Sequence, residues 1–133
     1  MTARYHGRCL CGGVRFGFCE AAEPPMACHC LECQRHSGGV WIAVTVPVGD
    51  LSVEGRSLGW VSASPRAWRG FCRDCGGYLF WQPAEGKTVD VAFGALEEAN
   101  GLRLTAHIFC EEARLPIPED GLPRFPRGRP GID

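Results

Sequence analysis

A chain of 133 residues is the size of one ordinary domain, long enough for one core and short for two, so a single domain over residues 1–133 is expected. Its 14 Lys and Arg against 15 Asp and Glu leave a formal net charge of -1, which supplies no overall basic field and argues against nucleic acid or anionic lipid as partners. No stretch approaches the roughly 18 consecutive apolar residues of a membrane span, and the opening MTARYHGRCLCGG has no apolar signal core, so no membrane and a cytoplasmic location are expected.

In chain order, residues 14–18 alternate apolar and polar, with Val14, Phe16 and Phe18 on one face, the period of a half-buried strand. A short helix over residues 31–36 follows the central cysteines and ends at Gly38. Residues 41–48 are rich in β-branched side chains, and residues 78–82 form an aromatic strand. Val89, Val91 and Phe93 share one face, and Leu102, Leu104, Ala106, Ile108 and Cys110 another. Loops are expected at Gly12-Gly13, Pro24-Pro25, Gly38-Gly39, Gly76-Gly77 and Glu85-Gly86. Residues 116–133 hold five of the ten prolines and read as an extended tail. The fold class is mainly β, with small stacked antiparallel sheets. The aromatics Trp41, Trp60, Trp68, Phe71, Phe80, Trp81 and Phe93 are expected in the core and in cleft walls.

Nine cysteines suit either a disulfide framework or metal sites. The odd count, the absence of an export signal and the recurrence of Cys-x-Cys and Cys-x-x-Cys spacings favour metal. In extended chain, residues two apart point to one side, so Cys9 and Cys11 face one metal and Cys28 and Cys30 do the same, with His29 turned away as a supporting or surface group. Cys72-Arg73-Asp74-Cys75-Gly76-Gly77 reads as a knuckle whose glycines permit positive φ. Cys19 and Cys110 have no partner at ligand spacing and read as core or strand residues. Seven ligands divide most economically into four for a closed zinc site and three for an open one. Spacing leaves open which four, because Cys30, Cys33, Cys72 and Cys75 would also make a closed ribbon-like site.

The sequence Gly7-x-Cys9-x-Cys11-Gly12-x-Val14, then Cys28-His29-Cys30-x-x-Cys33 with Ser37-Gly38, then Phe71-Cys72-x-x-Cys75-Gly76 and Leu79-Phe80-Trp81, resembles the glutathione-dependent formaldehyde-activating enzyme family. Gly94, His107-Ile108-Phe109 and Asp120-Gly121-Leu122-Pro123-Arg124-Phe125 extend the resemblance along nearly the whole chain. The resemblance implies a structural zinc on Cys9, Cys11, Cys72 and Cys75 and a labile or catalytic zinc on Cys28, Cys30 and Cys33. One departure stands out: where a tryptophan is often found before the last acidic segment, this chain reads Leu115-Pro116-Ile117-Pro118.

A zinc held by three thiolates binds a fourth sulfur well and deprotonates it, which points to a small thiol substrate. With glutathione and formaldehyde, the product is S-hydroxymethylglutathione and the reverse is carbon–sulfur lysis. Gln34, Arg35 and His36 follow the third ligand and are placed either to touch a bound thiol or to lie in solvent. Arg35, Arg69 and Arg73 are the candidate cations for glutathione's carboxylates. His107 reads equally as a proton shuttle in the catalytic group or as an exposed strand histidine. Arg124, Arg127 and Arg129 make a basic patch in the tail. A homodimer is compatible with these features. The competing classes are a zinc-stabilised β binding module and a thiol sensor with a labile zinc.

Overall fold

The computed structural model describes residues 3–130. Ten strands and one helix follow in order: β1 Tyr5–Arg8, β2 Arg15–Phe18, β3 Glu23–Cys28, α1 Leu31–Ser37, β4 Trp41–Pro47, β5 Ser52–Glu54, β6 Leu58–Ser64, β7 Ala67–Cys72, β8 Tyr78–Pro83, β9 Thr88–Ala92 and β10 Ala106–Ile108. They form a three-stranded sheet, β1-β2-β5, and a seven-stranded sheet, β10-β3-β4-β9-β8-β7-β6. The class is mainly β, as the alternation and turn content imply. Every adjacent pair is antiparallel except β10, which lies parallel to β3.

The core forms where the sheets meet. Val44 pairs with Val91, and Val91 with Phe80, so one face of the large sheet presents these side chains together. Phe16 of β2 meets Phe80 edge-on, at 5.2 Å between ring centres. Tyr5, Val14, Phe18, Val46, Leu79 and Val89, with Cys9 and Cys72, complete the buried cluster. Each of the larger side chains contributes roughly 1.5–3 kcal/mol by leaving water. Gly7 is required for this approach, because a Cβ there would meet the Phe16 ring and stand 2.8 Å from the Ala95 carbonyl oxygen.

The opposite face of the large sheet carries different chemistry. The register aligns Thr45, Asp90, Trp81 and Arg69 across β4, β9, β8 and β7. Alternation along β4 puts Trp41 on this face with Thr45, and Trp41 is the cross-strand partner of Cys28. Helix α1 lies over it, tied by Glu32 to Arg69.

Several expectations need correcting. Pro24 and Pro25 lie inside β3, not in a loop; the pairing with β4 shifts between Glu23 and Met26, where two residues lacking N–H interrupt the ladder. The strand expected over residues 102–110 shrinks to β10, because Phe109 adopts φ 54° and Cys110–Glu112 turns into a 3-10 helix. Phe93 likewise begins a 3-10 turn, Phe93–Ala95. Strands β1, β3, β5, β6 and β7 carry no clear period in the sequence. Trp60 and Trp68, on the β6–β7 hairpin, are exposed instead of buried in the core. The proline-rich tail is extended, with His107 N–H donating to the Pro123 carbonyl and Phe125 N–H to that of His107. Residues 131–133 of that segment lie outside the described residues.

Candidate metal centres

Cys9 ends the β1 side of a tight loop and Cys72 ends β7, so two turns from different sheets bring four thiols together. Cys9, Cys11, Cys72 and Cys75 have sulfurs that all lie within 4.8 Å of one another. The Cys9–Cys11 sulfurs are 3.7 Å apart and the Cys11–Cys72 sulfurs 3.6 Å. A tetrahedral zinc with sulfur at about 2.3 Å requires sulfur–sulfur edges of about 3.8 Å, so the donor set fits that ion. The two turns share one construction. Gly12 N–H donates to the Cys9 carbonyl and Gly76 N–H to that of Cys72, with φ near 80° at both glycines. Backbone N–H groups also point at sulfur: Val14 to Cys9 at 3.3 Å, Gly13 to Cys11 at 3.4 Å and Cys75 to Cys72 at 3.5 Å. Such donors favour thiolate over thiol.

The second cluster is local. Cys28 ends β3, Cys30 precedes α1 and Cys33 lies in its first turn; their sulfurs also converge within 4.8 Å. Cys33 N–H donates to the Cys30 sulfur at 3.3 Å. Left to themselves the three thiols cannot all ionise: hydrogen bonds from Cys28 and Cys33 hold Cys30 down to about 2, its partner Cys30 pushes Cys28 up to about 12, and Cys28 and Cys30 push Cys33 up as well. A cation relieves that repulsion, so this donor set also fits a metal. No other His, Cys, Asp or Glu among the described residues joins the three. The partition left open by spacing is therefore decided by folding, and the Cys30, Cys33, Cys72, Cys75 combination does not form. Cys19 and Cys110 stand outside both groups.

The helix carrying Cys33 is held from both sides. Glu32, between the second and third cysteines, accepts from Arg69 Nη2 at 2.7 Å and from Arg66 Nη2 at 2.5 Å. Burial raises the Glu32 carboxyl, but the two guanidinium hydrogen bonds outweigh it and hold it below the usual range. Leu31 N–H donates to the Glu112 carboxylate, and the Gln34 amide donates to the carbonyls of His29 and Glu112. Gln34 is thus engaged by backbone. Beside Cys33, Tyr78 stacks on Trp41 at 4.5 Å, with the His36 ring 5.4 Å from it. Burial pushes the Tyr78 hydroxyl up, against the nearby Arg69.

His107 is 3% exposed, so its reading as an exposed strand histidine is overturned: β10 is covered by the returning tail. Its Nε2 lies 2.7 Å from the Asp120 carboxylate and its Nδ1 2.9 Å from His29 Nε2. The carboxylate accepts, so His107 Nε2–H donates to it, and in the neutral ring Nδ1 accepts from His29 Nε2–H. Burial, then the charges of His107 and Arg124, holds His29 below the ordinary histidine range.

The three arginines are not brought together. Arg35 is exposed on α1, Arg69 is 3% exposed and engaged by Glu32, and Arg73 donates to the Arg56 carbonyl beside the four-cysteine cluster. Sequence reading assigned no site role to Glu32, Tyr78, Glu112 or Asp120; the signals on offer were the position of Glu32 between two ligands and the place of Asp120 in the motif that carries the resemblance.

Two sheets bearing two separate thiol clusters define a mainly β protein with two groups of cysteines that could each hold a metal ion. The chain belongs to the glutathione-dependent formaldehyde-activating enzyme family, whose profile matches residues 4–112. It is also similar to a crystal structure of a Rhodobacter sphaeroides protein, with 25% identity and a TM-score of 0.62 over 90% of this chain and 98% of that one. No curated protein sequence matches it. Among the described residues no helix is long and apolar enough to cross a membrane.

Proposed function

We propose that the protein is a zinc-dependent carbon–sulfur lyase-like enzyme acting on a thiol such as glutathione together with a small aldehyde, or on the adduct of the two. The observation that carries this reading is the contrast in donor number: four thiols converge at one centre and three at the other. Family membership supports both glutathione and formaldehyde. In this reading Cys9, Cys11, Cys72 and Cys75 hold a structural zinc, and Cys28, Cys30 and Cys33 a catalytic one. A zinc held by three thiolates supplies an open position that favours a substrate sulfur as thiolate.

In the lysis direction the C–S bond of R–S–CH(OH)–R′ breaks, its electron pair stays on sulfur, the C=O bond forms and the hydroxyl proton leaves to water at the half-exposed cluster. The chain's own residues position these events. Glu32, held by Arg66 and Arg69, and Glu112, bonded to Leu31 N–H, fix the helix that aims Cys33. His107, oriented by Asp120, fixes the His29 ring between two ligands and acts as a positioning residue. Arg35, exposed on α1, is the cation best placed for a substrate carboxylate.

Cobalt substitution tests the reading. The sulfur-to-metal charge-transfer band grows on adding glutathione, the response strengthens as pH rises toward the thiol's own pKa, and Cys30→Ser abolishes it. A protein with both metals bound and no thiol response would sink the enzyme reading in favour of a binding module.

A further inference from the structure

Beside the loop of the four-cysteine cluster runs an open groove of about 620 Å³, within the range of small-molecule sites. One end is the loop of the four-cysteine cluster, where Leu10 is 86% exposed; the other is the Trp41–Tyr78 stack. Val40, Phe93 and Gly94 lie along it. Trp41 is the cross-strand partner of Cys28, so this wall of the groove adjoins the end of β3 that carries the first ligand of the three-thiol cluster.

The groove is much larger than formaldehyde requires, and it carries almost no free charge. Among its described lining residues only Arg8 and Glu97 are ionisable in the Asp, Glu, Lys and Arg classes, and they bond each other at 2.9 Å. Arg8 is further occupied by the carbonyls of Cys9 and Leu10. A glutathione tripeptide laid there would lose water from two carboxylates and an ammonium without meeting a free counter-charge. An uncharged alkyl or aromatic group would instead cover the exposed Leu10 and Val40 from water.

We infer that this groove is a second substrate subsite, which receives an uncharged, apolar arm attached to the sulfur at the three-cysteine centre. The inference rests on the thiol-binding reading of that centre and narrows its substrate class: the preferred thiols or thiol–aldehyde adducts carry one neutral, apolar substituent larger than hydroxymethyl. Lysis of such an adduct balances as above, with R–S–CH(OH)–R′ giving R–SH and R′CHO and no oxidant or reductant consumed.

The test uses the full chain with both centres loaded with cobalt, and titrates glutathione and a series of n-alkyl thiols from propyl to hexyl against the charge-transfer band. Affinity rises by about fourfold for each added methylene until the groove is filled. Gly94 lines the groove, and a Cβ there meets nothing within 4 Å, so Gly94→Phe occupies the space without disturbing the core. In that variant the chain-length dependence collapses to within twofold, and Val40→Glu reduces it by charge. Lys87→Ala, on the exposed β8–β9 turn, retains the full dependence. Equal affinities for short and long alkyl thiols, with the glutathione response intact, overturn the subsite alone, as does a chain-length dependence that survives both groove variants. Loss of every thiol response overturns the thiol-binding reading with it.

Discussion

The two cysteine clusters offer the same donor type on differently built supports. The four-cysteine cluster joins turns 61 residues apart at Cys11 and Cys72, and the groups aimed at its sulfurs are backbone N–H groups set by glycine turns, with Arg8 bracing the carbonyls of Cys9 and Leu10. The three-cysteine cluster spans six residues, and side chains from distant elements support it: Arg66 and Arg69 through Glu32, Glu112 through the α1 backbone, and His107 and Asp120 through His29. In the proposed reading the long-range cluster would secure the fold, and the local cluster resting on distant side chains could be tuned without losing it.

The sharpest way to break this comparison is to remove one ligand from each cluster. Cys72→Ser, at a fully buried position joining the two sheets, should cost on the order of 5 kcal/mol or more by releasing the metal and a long loop closure. Cys30→Ser should cost about 1–2 kcal/mol, because the segment stays tethered by β3 and α1. Denaturant unfolding of the two variants, with metal content per chain measured alongside, checks the difference. Equal losses would show that the clusters are not divided into structural and tunable roles.

A smaller effect sharpens the side-chain half of the comparison. Glu32→Gln leaves the buried Arg69 guanidinium without its carboxylate, and should lower stability by about 2 kcal/mol. The same variant should weaken metal at the three-cysteine cluster alone, read as an earlier loss of one of two metals in a chelator titration. Parallel weakening at both clusters would separate Glu32 from the helix-holding role.

The smallest expected effect is a pH dependence. The hydrogen bond from His107, then that from Leu122 N–H, holds the Asp120 carboxyl below its ordinary value of 3.8. A folded value depressed below the unfolded one stabilises the protein above the ordinary value, and that contribution disappears as pH falls through the folded value. Asp120→Asn should therefore melt lower than wild type at neutral pH and converge with it as pH falls below 3.8. Thiol protonation acts on both proteins alike, so the difference between their melting curves isolates Asp120. A constant difference across that range would remove the carboxylate from the account.

The cysteine spacings by themselves pointed to thiol groups suited to metal, because i, i+2 and i, i+3 geometry can bring neighbouring thiols to one side of the chain, and folding decided which cysteines join. The strong alternation at residues 14–18 and 89–92 likewise exposed core strands, and the helix after Cys30 was readable from its Gly38 stop. Hydrophobic pattern reports only which side of an element is buried, and it fell silent at β6, whose residues are exposed or half-buried, and at β7, whose buried positions include Arg69 and Gly70. Register and topology decided the rest. The parallel placement of β10 beside β3 buried His107 against His29, and the alignment of Arg69 under α1 gave Glu32 its partners. These are contacts between residues 37 and 78 positions apart, set by which strands pair and which face they share, and no local pattern in the chain encodes them.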